Sequence, residues 1–174
     1  MPETFFLTHY QSPIGAYLLA SSIRGVVCVK SENYMPTRLD RWEREGIQIQ
    51  NGSRRNREVA AELDAYFAGD LRQFSVPLDL RGTDFQRQVW QLLLSIPYGE
   101  TRSYGQIASA LGRPTASRAV GRANGTNPVA IIVPCHRVIG ANGELVGYGG
   151  GLDRKQALLD LEANVLKKIK GSVS

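Results

Sequence analysis

Cysteine and histidine are nearly absent from the 174 residues, with two of each: Cys28, Cys135, His9 and His136. No Cys/His spacing resembles a zinc site, and His9 with Cys28 cannot supply four ligands. Long apolar runs are missing too. No stretch approaches the ~18 residues needed to span a bilayer, and the N-terminus lacks a basic leader followed by a long apolar region. These absences predict a soluble chain without a membrane partner, held in a reducing cytoplasm or nucleoid with its thiols unpaired. Acidic residues are scarce in one region: positions 81–140 hold seven arginines against only Asp84 and Glu100. Elsewhere basic and acidic residues balance at fourteen each, so the net charge of +5 is concentrated there. Such clustering suggests a polyanionic partner, with a solvated helix face as the alternative.

The apolar content of 43% is sufficient to fill a core, and the length fits one large domain or two small ones. The first 30 residues read as an antiparallel meander of three strands, 4–10, 16–20 and 25–30, the first two joined by the turn Ser12-Pro13-Ile14-Gly15. Residues 32–54 read as polar and irregular. A helix over 56–68 carries Val59, Leu63, Tyr66 and Phe67 and stops at Gly69-Asp70, and a short strand through 74–80 completes a small α/β domain, 1–80. Arg81-Gly82 marks the passage to a mostly helical domain, 83–174, for a mixed α+β/α/β fold class.

Thr83 with Gln86, then Ser103 with Gln106, are capping boxes for two helices. The first carries the stripe Phe85, Val89, Leu92 and Ile96. The second carries Ile107 and Leu111 and ends at Gly112. A third helix, beginning at Thr115 and breaking at Asn124-Gly125, completes a helix-turn-helix. Its residues are mostly Ala, Gly and Ser, so its backbone can approach a groove closely, and Arg118 and Arg122 argue against complete burial. The last helix, 153–168, has the stripe Leu158, Leu161, Val165 and Ile169. Glu162 falls on that face and requires a cation or a hydrogen-bond donor, His136 being the obvious one, unless it snorkels to water.

Pro134-Cys135-His136-Arg137 closes the apolar run 129–133, which reads as a strand ending before a turn. A free thiol is only a few per cent thiolate at neutral pH, and an adjacent imidazole is the common means of activating it. The dipeptide alone favours inert packing, but its place at an element end directs the side chains toward a cleft. Cys28, in an apolar strand, reads as buried and unreactive.

Together these residues resemble the O6-alkylguanine-DNA alkyltransferases, also called methylated-DNA-protein-cysteine methyltransferases, in their stand-alone form. The resemblance is carried by Phe85-Gln86-Arg87-Gln88-Val89-Trp90, Ser103-Tyr104-Gly105-Gln106-Ile107-Ala108, Arg118-Ala119-Val120-Gly121, Asn127-Pro128, Ile132 to Val138 and Gly147-Tyr148-Gly149-Gly150. The N-terminal part matches more loosely through 12–15 and 66–69. The resemblance implies stoichiometric, irreversible transfer of an alkyl group from O6-alkylguanine in double-stranded DNA to Cys135, without a cofactor or metal. His136 would deprotonate Cys135 through a water, and Glu162 would orient the imidazole. Asn127 would tie the cysteine loop to the end of the recognition helix, and Tyr104 would donate to the departing base.

The resemblance also implies minor-groove entry by the second helix of the motif, with Arg118 filling the gap left by a flipped base. Ser103, Ala119, Gly121, Arg122 and Lys155 would join it at the DNA and substrate surface. Backbone groups near Cys135, Val138 and Gly149, with the Tyr148 ring, would line the base pocket, where family members vary and this chain has Val146 and Gly149. The protein would be a monomer in solution, with cooperative assembly on DNA left open. Two rivals remain at this stage: a lesion-binding module without transfer chemistry, and a thiol hydrolase built on Cys135 and His136.

Overall fold

The computed structural model, which describes residues 1–173, extends the first two expected strands by two residues each and shifts the third by one. β1 (Thr4–Ser12) pairs antiparallel with β2 (Gly15–Ser21), from Phe6 opposite Ser21 to Ser12 opposite Gly15. The Ser12 hydroxyl donates to the Gly15 carbonyl at 2.7 Å and accepts from the Ile14 N–H, closing the turn. β2 pairs antiparallel with β3 (Val26–Ser31). Cys28 is fully buried in β3, where desolvation pushes its thiol pKa up and leaves it unreactive.

Residues 32–54 are not irregular. They form α1 (Met35–Arg44) and β4 (Gln48–Asn51), which lies parallel to β1, so the sheet is mixed, in the order β3-β2-β1-β4. The signal was a sparse one: Met35, Leu39 and Trp42 repeat at helical spacing among charged residues. Trp42 meets Phe5 edge to face with centroids 5.0 Å apart and joins a core of Leu18, Ala20, Val27 and Cys28.

α2 (Arg54–Ala68) starts at Ser53, whose hydroxyl accepts from the Asn56 N–H, and ends at Gly69 with φ +84°. The strand expected over 74–80 reduces to one bridge between Val26 and Leu78. Pro77 offers no N–H to extend that ladder, and only its carbonyl is used, by the Val26 N–H at 2.8 Å.

The chain divides into two compact units, the first Met1–Arg81 and the second beginning at Gly82. In the second, α3 (Asp84–Leu94) and α4 (Tyr104–Ala110) open with the two capping boxes, formed at Thr83–Gln86 and Ser103–Gln106. Between them runs β5 (Arg102–Ser103). After a turn with Gly112 at φ +71°, α5 (Ser117–Gly125) begins two residues later than the Thr115 start expected for it. Val120 and Ala123 of α5 are buried, and the Trp90 indole of α3 donates to the Ala123 carbonyl at 2.8 Å.

β6 (Val138–Ile139) pairs parallel with β5, tying the start of α4 to the chain just after Cys135. α6 (Leu152–Ser172) buries Lys155, Leu158 and Glu162, a stripe shifted from the expected apolar one, and leaves Ile169 40% exposed. Two of its three fully buried positions are therefore ionisable. No helix among the described residues is long and apolar enough to cross a membrane.

Candidate active site

The apolar run 129–133 is buried but is not a strand. Pro128 and Pro134 bracket it, and it folds into tight turns through bonds from Ile132 N–H to Ala130, Val133 N–H to Val129 and Cys135 N–H to Val133. Ile131 sits at φ +72°, the one non-glycine residue with positive φ among those described. A β-branched residue holds that conformation only when its surroundings over-determine it. Asn127 supplies much of that constraint. Its side-chain amide donates to the Val133 carbonyl at 2.8 Å, its carbonyl oxygen accepts from the Val129 N–H at 3.0 Å, and its own N–H donates to Asn124 at the end of α5.

Cys135, His136 and Arg137 form a single 3-10 turn after Pro134, all three buried, with Cys135 5% exposed. The His136 Nε2 lies 2.8 Å from Glu162 Oε1, and both side chains are fully buried. The same carboxylate accepts from the Arg137 guanidinium, Nη2 to Oε1 at 2.8 Å and Nε to Oε2 at 3.0 Å, and from the Gly99 N–H at 3.0 Å. Arg137 also donates to the Ile96 carbonyl at 2.7 Å, with its guanidinium over the Tyr98 ring.

Burial alone would raise the Glu162 pKa, but the hydrogen bonds from His136 and Arg137 outweigh it and hold the carboxyl at about 2. An ionised carboxylate only accepts, so His136 donates through Nε2–H and its buried Nδ1 keeps a lone pair. Burial pushes the His136 pKa down, against the pull of Glu162.

Both groups destabilise the fold in acid. The lowered His136 pKa gives stability that is present above the unfolded value of ~6.5 and is lost as pH falls below it. The Glu162 contribution, about 3 kcal/mol, is present above ~4.3 and is lost as pH falls toward 2. Denaturant titrations from neutral pH to pH ~3 should show this decline. A flat profile would contradict the assignment.

Gly99 has φ +78°, and a Cβ there would lie 2.2 Å from the Leu166 Cδ1. Gly99→Ala should cost about 1–3 kcal/mol by overpacking and backbone strain, read as a lower thermal midpoint.

An open cavity of about 610 Å³ is walled by Tyr104, Ser117, Arg118, Gly121, Gly125 and the segment Val146–Gly149. Tyr104, Arg118, Gly121, Tyr148 and Gly149 thus meet at one place, as expected. The Tyr104 hydroxyl donates to the Val146 carbonyl at 2.9 Å, and burial raises its pKa, with a further rise when Cys135 is a thiolate. Arg118 and Arg122 are exposed on α5, and Ala119 is half-buried there.

Ser103 is half-buried, and its hydroxyl caps α4 by accepting from the Gln106 N–H at 3.1 Å. Two expected surface or pocket residues are placed differently. Val138 is buried outside the cavity walls. Lys155, expected at the DNA and substrate surface, is fully buried, with its ammonium donating to the carbonyls of Val138 at 2.5 Å and Val146 at 3.0 Å. The second of these bonds reaches a residue of the cavity wall. Burial lowers the Lys155 pKa, offset in part by Cys135.

Sequence reasoning left Arg137 and Gly99 without roles and missed Ser117, Gly125 and Gly147 as cavity walls. A basic residue directly after His136, with a carboxylate on an apolar helix face, was the available clue to Arg137.

Comparison with known proteins assigns both units. Residues 84–164 match the family profile described as 6-O-methylguanine DNA methyltransferase, DNA binding domain, and residues 6–80 match its ribonuclease-like domain. A methylated-DNA–protein-cysteine methyltransferase of Mycobacterium leprae is 55% identical over 153 residues, spanning 87% of this chain and 88% of the relative. One from Methanosarcina acetivorans is 50% identical, spanning 89% and 96% respectively. The crystal structure of Mycobacterium tuberculosis OGT in complex with DNA superposes with a TM-score of 0.80 at 49% identity, covering 93% of this chain and 94% of that one. With Cys135 and His136 on one buried turn, His136 bonded to Glu162 of α6, and both units matched by the family profiles, this chain belongs to the 6-O-methylguanine DNA methyltransferase family.

Proposed function

We propose that the protein repairs O6-alkylguanine in duplex DNA by moving the alkyl group onto Cys135, once per molecule. The helix α5 enters the minor groove, where its Ala and Gly residues permit close approach. Arg118, exposed at the cavity mouth, fills the stack as the damaged base rotates out, at a cost of roughly a few kcal/mol. The base enters the cavity between Tyr104 and the Val146–Gly149 segment. His136 Nδ1 takes the Cys135 proton through a water, and the thiolate attacks the alkyl carbon. The S–C bond forms as the C–O6 bond breaks, and the electron pair passes to the guanine ring, which receives a hydrogen bond or proton from Tyr104. The thioether has no exit route, so each molecule reacts once.

The observation that carries this reading is the buried bond between Glu162 of α6 and His136, on the turn that bears Cys135. It fixes the imidazole tautomer so that Nδ1 is the base. Transfer and DNA binding reside in 83–174, with 1–80 a separate α/β domain, and the protein acts as a monomer in the cytoplasm at the nucleoid. The test follows the DNA: O6-methylguanine in a duplex should revert to guanine in an amount equal to the protein added, as read by nucleoside chromatography. Reversion in excess of protein would signify a turning-over enzyme, and binding without reversion a lesion sensor.

A further inference from the structure

We infer that Arg137 is a positioning residue for the transfer reaction, holding the Glu162 carboxylate so that His136 stays neutral with its Nδ1 lone pair free for the Cys135 proton. The inference deepens the alkyl-transfer reading above and rests on it.

The geometry is that of a filled carboxylate. Arg137 reaches it with two nitrogens, Gly99 adds a backbone N–H, and His136 adds Nε2, so donors arrive from the turn and from the loop before β5. The guanidinium is itself held in plane by the Ile96 carbonyl and the Tyr98 ring. A lone buried carboxylate beside an imidazole would draw a proton onto the ring and convert it to imidazolium. That proton would occupy Nδ1 and remove the base. With Arg137 in place the carboxylate is neutralised before the imidazole meets it, and its charge opposes a second positive charge on the ring.

The groups facing the ring are few. Arg137 and Cys135 lie on its own turn, and Glu162 and Lys155 lie on α6. Lys155 also opposes protonation of the ring, and Glu162 alone favours it outright. Removing Arg137 therefore takes away one of two cations set against the carboxylate and leaves the other hydrogen-bonded to backbone carbonyls instead.

The test is the pH profile of single-turnover methyl transfer from duplex O6-methylguanine for wild type, Arg137→Met and Arg137→Lys. Wild type should keep its rate down to below about pH 6.5, where a free imidazole protonates. Arg137→Met should lose about tenfold or more at neutral pH and recover toward the wild-type rate in alkali, its midpoint moved up by about one pH unit or more. Arg137→Lys keeps the charge and should keep the wild-type midpoint even at a reduced rate. A loss in Arg137→Met that is uniform across pH would reduce Arg137 to a structural residue and overturn the inference.

Because Arg137→Met can fail to fold, nitrogen-15 spectra of His136 in the wild-type protein decide independently. A neutral ring protonated on Nε2 at neutral pH supports the inference, and an imidazolium or an Nδ1–H tautomer overturns it. If wild type takes up no methyl at any pH, the alkyl-transfer reading falls, while the ring spectra still report whether Arg137 keeps the imidazole neutral.

Discussion

Glu162→Gln should slow methyl transfer by about a hundredfold or more and destabilise the fold by about 3–5 kcal/mol. The two effects share one cause. Glu162 is fully buried and accepts from His136, Arg137 and the Gly99 N–H. An amide has one acceptor oxygen and turns its NH₂ toward donors, so at least one partner loses its bond, and the buried Arg137 loses its counter-charge. His136 then lacks the fixed acceptor that sets its tautomer, and rotation of the ring removes Nδ1 from its task. Single-turnover kinetics and denaturant unfolding on the same preparation check both parts. A variant that transferred as fast as wild type would dismantle the relay.

Asn127→Ala should cost about 2–4 kcal/mol and slow transfer at least about tenfold, although Asn127 touches no substrate in the proposed reaction. Its side chain closes the loop from both ends, at the Val129 N–H and the Val133 carbonyl, both buried. Alanine strands both groups, each worth about 1–3 kcal/mol when unsatisfied in the interior. The same loop holds Ile131 at φ +72°, a conformation that reverts to an ordinary one once the constraint weakens. Since the Cys135 N–H is anchored to the Val133 carbonyl at 2.8 Å, relaxation there moves the thiol. Asn127→Asp keeps the acceptor for Val129 but sets a buried carboxylate oxygen against the Val133 carbonyl, so its cost should equal or exceed that of alanine. Thermal midpoints and single-turnover rates read the order, and an Ala variant as stable as wild type would contradict the argument.

Local chemistry was legible in the sequence wherever it has a short-range signature. The capping boxes at Thr83 and Ser103, the Ser12–Gly15 turn and the stop at Gly69 are where the residues place them. Cys135, His136, Glu162 and Asn127 come together, as do Tyr104 and Arg118 at the cavity.

What was lost depends on tertiary context. The run 129–133 has the composition of a strand, but two flanking prolines interrupt it, and the Asn127 side chain and the run's own tight turns supply its hydrogen bonds locally, so no ladder forms. β4 is a four-residue strand of Gln-Ile-Gln-Asn, and only pairing with β1 makes it one. Lys155 shows the converse. Its charge predicts a surface, yet two inward carbonyls satisfy it more fully than the helical period would suggest.

The most direct measurement of the central claim is the intact mass of the protein after mixing with excess duplex carrying one O6-methylguanine, with Cys135→Ala as control. A gain of one methyl group per wild-type molecule, and none in the variant, is the expected result. An unchanged wild-type mass despite tight lesion binding, or an equal gain in Cys135→Ala, would contradict it.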